Sequence, residues 1–177
     1  MINEVNRKED IYREYCGTPI GLLLEYHNLA RPFDEYEKAQ LLVSMCMDNR
    51  KQLKIPNNFA YIIRSGGGNL KFSEFKVSFA IAMGGVRHIA LLAHTQCGMV
   101  GLSKKKNTFI EGLVKNAGWT KEMAAEHFEQ YASIFEINDE IEFVIQETKR
   151  LGTRYPKVQI APLLYRIEDN RLYQIKM

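Results

Sequence analysis

The sequence predicts an α/β fold: a central, mostly parallel β-sheet of about four parallel strands plus an antiparallel edge strand, flanked by helices and preceded by N-terminal arm helices. Two observations lead there. The runs Gln40–Met45, Ala60–Arg64 and His88–Ala93 are largely apolar, as strands covered on both faces are, and the first two give way to polar or glycine-rich loops. Stretches of helical spacing separate and follow them, so strands and helices alternate. In such a sheet the parallel strands share one carboxyl-terminal rim, and chemistry gathers along it.

Residues 1–39 form the N-terminal arm. Charged and apolar residues mix at helical spacing from Glu4 to Tyr15, Gly17-Thr18-Pro19 stops that pattern, and a second helix is expected over Ile20–Asn28. Residues 40–103 carry the three strands, the sharp turn Gly66-Gly67-Gly68-Asn69 and a helix over Glu74–Met83. Ser73 is a candidate cap for that helix, and Phe75, Phe79 and Ala82 share one of its faces, which as a Phe-bearing face is expected in the core.

Residues 104–157 are the helical segment. After the solvated loop Lys104-Lys105-Lys106, helices are expected over Asn107–Asn116, from the cap Thr120 to Phe135, and over Asp139–Leu151 with Asn138 as cap and Gly152 as the stop. Residues 158–177 close the chain. An apolar strand Val158–Tyr165 turns at Asp169-Asn170 and returns as Arg171–Ile175 at the sheet edge.

Composition bounds what this chain can be. Its 177 residues, 46% hydrophobic, suffice for a single domain with a buried core. The 24 Lys and Arg against 21 Asp and Glu, and a pI near 8.7, leave no basic face built for phosphates, so no nucleic acid partner is expected. No segment is long and apolar enough to span a bilayer, and Met1–Arg13 lacks the hydrophobic stretch of a secretion signal, so a cytoplasmic protein without membrane contact is expected. Three cysteines cannot all pair, which fits intracellular use, and Cys16 is expected to be a small buried side chain.

Two short motifs follow strand-like runs. Cys46-Met47-Asp48-Asn49-Arg50 comes after Leu41, Leu42 and Val43, and His94-Thr95-Gln96-Cys97 comes after the third run. Two thiolates and an imidazole suit zinc, and three protein ligands leave a fourth tetrahedral position for water or substrate. The predicted metal ligands are therefore Cys46, His94 and Cys97, for a zinc ion, Zn2+. His27, His88 and His127 lack such partners and read as structural or exposed. The glycine turn lacks the lysine and hydroxyl of a phosphate-binding loop and the spaced glycines of a dinucleotide site.

Cys-x-Asp-x-Arg followed by His-x-x-Cys resembles the β-class carbonic anhydrase family, over roughly residues 41–101. The resemblance implies reversible hydration of carbon dioxide to bicarbonate and a proton by attack of zinc-bound hydroxide. It assigns catalytic roles to Asp48, which accepts a hydrogen bond from that hydroxide, and to Arg50, which holds Asp48 by a paired contact. In some members of the family the aspartate instead occupies the fourth position on the metal. The resemblance also implies a homodimer or higher homo-oligomer, joined through arm helices with an apolar face on Leu22, Leu23 and Tyr26.

The substrate pocket is expected beside Ser65, Gly66, Gly67 and Gly98, with Tyr12, Tyr15, Tyr26, Phe33 and Phe72 as looser candidates for its walls. Here the chain departs from the family, which commonly has an Arg-Asn-Ala-Gly-Asn-like segment where this sequence has Arg64-Ser65-Gly66-Gly67-Gly68-Asn69. Two thiolates also donate more charge to the metal than imidazoles do, so surrounding groups have to favour hydroxide. Two alternatives stand beside carbon dioxide hydration: hydrolysis of carbonyl sulfide or carbon disulfide on the same scaffold, and a zinc-stabilised binding or regulatory module without turnover.

Overall fold

A computed structural model describes residues 1–177. Six strands form one sheet: β1 (Ile2–Asn3), β2 (Leu41–Cys46), β3 (Ala60–Ser65), β4 (His88–His94), β5 (Gln159–Arg166) and β6 (Arg171–Ile175), in the order β1-β6-β5-β4-β2-β3. β3, β2, β4 and β5 run parallel, while β6 and β1 are antiparallel additions. The α/β class and the parallel core are as the apolar runs predicted. β6 is not the edge, however, because the two residues of β1 pair with it and cover it.

Five helices surround the sheet: α1 (Pro19–Leu29), α2 (Glu74–Ala82), α3 (Lys106–Ala117), α4 (Lys121–Phe135) and α5 (Glu140–Arg154). Alternate residues of each parallel strand point to opposite faces. Leu41, Val43, Met45, Ala90 and Leu92 pack with Ile20, Leu23 and Leu24 of α1. Leu42, Ile89, Leu91 and Ala93 pack with Val77 and Ala80 of α2 and with Val144 and Leu151 of α5. Burial on both faces is why β2 reads as an apolar run, broken only by Ser44, whose hydroxyl donates to the Gly68 carbonyl.

Several local expectations fail for identifiable reasons. Glu4–Tyr15 is not a helix: only Lys8–Asp10 makes a single 3-10 turn, and side chains such as Val5, Ile11 and Tyr15 reach the core instead. In α1, Leu23 and Tyr26 are fully buried within the chain itself, so they offer no free dimer face. Ser73 makes no capping hydrogen bond, and Phe75 and Phe79 lie on the exposed side of α2, whose inner side is the smaller Val77 and Ala80.

Asp139, one residue later than expected, caps α5 by accepting from the N–H groups of Ile141 and Glu142. Gly152 lies inside α5, which runs on to Arg154, because a single glycine does not stop a helix whose other face is buried. Cys16 is exposed rather than buried. No helix is long and apolar enough to cross a membrane.

Candidate metal centre

Parallel pairing brings the carboxyl ends of four strands to one rim. Cys46 is the last residue of β2, and His94 the last of β4, its immediate neighbour in the sheet. A tight turn follows His94 in which Gln96 adopts the left-handed conformation (φ 59°), and this swings Cys97 back towards the strand ends. The candidate ligand atoms of Cys46, His94 and Cys97 all lie within 4.8 Å of one another, and all three residues are buried.

The donors fit a divalent cation. His94 Nδ1 is 2.9 Å from the Thr95 carbonyl, which makes Nδ1 the protonated nitrogen and turns the Nε2 lone pair into the cluster. Nε2 is buried and has no hydrogen-bond partner, a state that buried nitrogen rarely occupies unless an ion or water completes it. Side by side, the two thiols titrate as a unit. A hydrogen bond from Cys97 holds Cys46 far below the usual thiol range, helped by the N–H groups of Asp48 and Gly67. That same hydrogen bond to Cys46, together with burial, pushes Cys97 up. A cation between them removes that conflict.

Asp48 is not one of the clustered donors. Arg50 holds it instead, with Nη2 2.7 Å from Oδ2 and Nε 3.1 Å from Oδ1, while the Arg50 N–H donates to Oδ1 at 2.9 Å. The guanidinium keeps the Asp48 carboxyl well below the ordinary carboxylate range. Arg50 also joins the two motifs, since Nη1 donates to Gln96 Oε1 at 3.1 Å and Nη2 to the Gln96 carbonyl at 3.0 Å. Glu168, just beyond β5, accepts from Gln96 Nε2 and from Thr95 Oγ1 and so fixes the histidine turn from outside.

Three supporting groups escaped sequence reasoning. Arg64, at the end of β3, donates to the carbonyls of Cys46, Asp48 and Lys51. Glu140, at the start of α5, accepts from the Cys97 N–H. Lys51 is completely buried behind the first motif. Proximity of Lys51 to the motif was an available signal, and Arg64 heads the glycine segment that the resemblance singles out; for Glu140, no pattern in the sequence links it to the site.

The expected pocket residues divide. Gly66 lines an apolar cleft of about 480 Å³ together with Met47, Met99, Phe72, Tyr131 and Phe135. Gly67 is buried with φ 63°, a conformation in which a side chain is strained, and it packs against Met99. Ser65 turns its hydroxyl to the Asn69 carbonyl within its own loop, and the Gly98 carbonyl accepts from Lys105. Of the aromatic candidates, only Phe72 reaches this cleft, whereas Tyr12, Tyr15 and Tyr26 belong to the core around α1 and the exposed Phe33 lies edge-on against Tyr26.

No protein-family model matches the sequence, and no curated protein sequence matches it either. Solved structures do. The carbonic anhydrase from Glaciozyma antarctica is similar at 21% identity, over 80% of this chain and 85% of that one, with a TM-score of 0.64. The β-carbonic anhydrase isoform I of Trichomonas vaginalis is similar at 18% identity, over 83% and 88%, with a TM-score of 0.66. A carbon disulfide hydrolase is similar at 22% identity, over 76% and 77%, with a TM-score of 0.54. At these identities the likeness is one of architecture, and by its architecture this chain has the β-class carbonic anhydrase fold.

Proposed function

We propose that this protein is a zinc enzyme that hydrates carbon dioxide reversibly to bicarbonate and a proton, with Cys46, His94 and Cys97 as metal ligands. The observation that carries the proposal is the buried, unpartnered Nε2 of His94 facing two cysteine sulfurs, beside a carboxylate that an arginine keeps ionised. A zinc ion held there supplies a Lewis acid beside which water becomes nucleophilic near neutral pH.

The chain's own residues do the rest. Asp48 stays anionic and accepts a hydrogen bond from the attacking water or hydroxide, orienting a lone pair towards the carbon of carbon dioxide. Arg50 is the positioning residue that keeps Asp48 off the metal, and Gln96 keeps Arg50 in place through two contacts. In the net reaction one C–O bond forms and one proton departs to buffer. The apolar surface of Met47, Gly66 and Met99 suits a small apolar substrate.

A free thiol at Cys16 and thiolate ligands at Cys46 and Cys97 suit a reducing compartment, which supports a cytoplasmic location. A homo-oligomer is supported by the apolar surface left open at Phe75, Phe79 and Met83.

The test is zinc content measured together with stopped-flow hydration across pH. Stoichiometric zinc and a rate that rises along a basic limb are expected. Zinc-loaded protein without hydration at any pH overturns the proposal. A second reading is favoured by the likeness to carbon disulfide hydrolase: hydrolysis of that substrate or of carbonyl sulfide by the same residues. Sulfide release by a preparation inactive on carbon dioxide would select it. Bound zinc with neither activity would leave a metal-stabilised binding module.

A further inference from the structure

Lys51 is the most unusual side chain near the metal centre. It has no exposed surface, although lysine is among the residues least often buried in full. Its Nζ carries three donors as an ammonium and has one hydrogen-bond acceptor in the protein, the Asp48 carbonyl at 3.3 Å. The charged groups that face it are Cys46 at the end of β2, Asp48 in the same loop, Cys97 after β4 and Arg64 on β3. Burial lowers its pKa, while the two sulfurs and Asp48 pull the other way. A cation is costly to bury unless anions compensate it, and the anions available are those of the metal centre.

The charge balance of the site supplies the reason for a cation there. Two thiolates cancel the charge of a divalent ion, so a hydroxide beside it leaves the centre net negative. Arg50 is already matched to Asp48. A second positive charge behind the thiolates draws electron density from the metal's surroundings and favours both sulfur anions and hydroxide.

We propose that Lys51 is a positioning residue of the metal centre, its buried ammonium anchoring the Asp48 carbonyl and acting as the countercharge to the Cys46 and Cys97 thiolates. The inference rests on the metal-site reading above, but not on the reaction assigned to it. Because Asp48 lies two residues after Cys46, a fixed Asp48 carbonyl also fixes the path of the ligand loop. Arg64 repeats the device from β3, pointing its guanidinium at the carbonyls of Cys46 and Asp48.

The test uses the full chain with Zn2+ or Co2+ as probe, in wild type, Lys51→Met and Lys51→Gln. Zinc affinity, read by competition with a chromogenic chelator at fixed pH, is expected to fall about tenfold or more in both variants. In the cobalt forms the sulfur-to-metal charge-transfer band is expected to move to longer wavelength, because removing a nearby cation raises the sulfur donor level. A purely structural role would not move that band. Folded variants with wild-type affinity and an unshifted band overturn the proposal.

Should neither variant fold, the ζ-nitrogen resonance of lysine-labelled wild-type protein decides: an ammonium signal that shifts on zinc addition is expected, and a neutral amine or an unshifted signal overturns the role. Cobalt binding with the sulfur band but no hydration of carbon dioxide would remove the proposed reaction and leave the role of Lys51 standing. A wild-type chain that takes up no metal removes both.

Discussion

Arg50 reaches across from the cysteine loop to Gln96 in the histidine turn, gripping its side-chain and main-chain oxygens at 3.1 and 3.0 Å while the same guanidinium holds both oxygens of Asp48. One side chain therefore couples the orientation of the candidate catalytic carboxylate to the loop that carries two candidate ligands. A planar, five-donor group can do this, and a lysine ammonium cannot. Arg50→Lys is expected to lower hydration by roughly ten- to a hundredfold with zinc retained, checked by stopped-flow rates on metal-quantified protein.

Asp48→Asn separates charge from shape. The amide fills the same space without the charge that Arg50 matches, and hydration is expected to fall by about a hundredfold or more at unchanged zinc content. Wild-type rates in that variant would show the carboxylate to be a loop-stabilising group only. Since Arg50 holds the Asp48 carboxyl below its ordinary range, its contribution to stability is complete above about pH 4 and is lost as pH falls through the lower folded value.

Removing a donor should empty the site. Cys97→Ser and His94→Ala are each expected to lose zinc on dialysis, and in the wild type a chelator should lower the melting temperature by withdrawing a ligand bound only to the folded state. Full zinc retention by Cys97→Ser, measured by atomic absorption, would contradict the ligand assignment.

His27 gives a pH dependence of stability independent of the metal. Its ring is buried, lies 3.0 Å from the Asn170 carbonyl through Nε2, and accepts from the Lys54 N–H at 3.1 Å through Nδ1. Burial pulls its pKa down from 6.5 to about 4. Between those values the unfolded chain binds a proton that the folded chain refuses, so stability falls as pH drops from 6.5 towards 4 and levels off below. The full change is about 3 kcal/mol. Urea unfolding of wild type and His27→Gln across this range should show a shallower slope in the variant.

The apolar side of α2 should govern self-association. Phe75 and Met83 are 82% and 74% exposed, and Met83 lines one surface cleft with Tyr61 of the edge strand β3, which also exposes Ile62. Phe75→Ser with Phe79→Ser is expected to shift sedimentation towards the monomer with little loss of fold, since neither ring contributes to the core.

Much of the parallel core and the pair of motifs could be read from sequence, because both are local. A strand covered on two faces has to be largely apolar, as Leu41–Cys46 is apart from the hydrogen-bonded Ser44, and a metal-type donor set has to place its cysteines and histidine where strands end. Periodicity was a poorer guide wherever two solutions had the same spacing. The face of α2 bearing Phe75 and Phe79 is as regular as the face bearing Val77 and Ala80, and only packing against Leu42 and Ile63 chose the smaller residues. Likewise Ile11 and Tyr15 are spaced as in a helix, but with Val5 they are recruited one by one into the core under α1.

What sequence alone determined is therefore the chemistry on offer: an α/β chain with two sulfurs, an imidazole and an acid paired with an arginine. Tertiary structure decided how these meet. The adjacency of β2 and β4 brings Cys46 to His94, the left-handed turn at Gln96 returns Cys97, and distant Arg64, Glu140 and Glu168 brace the loops. Those contacts join residues far apart in the chain, and their energies depend on burial and on distances of about 3 Å that no local pattern encodes.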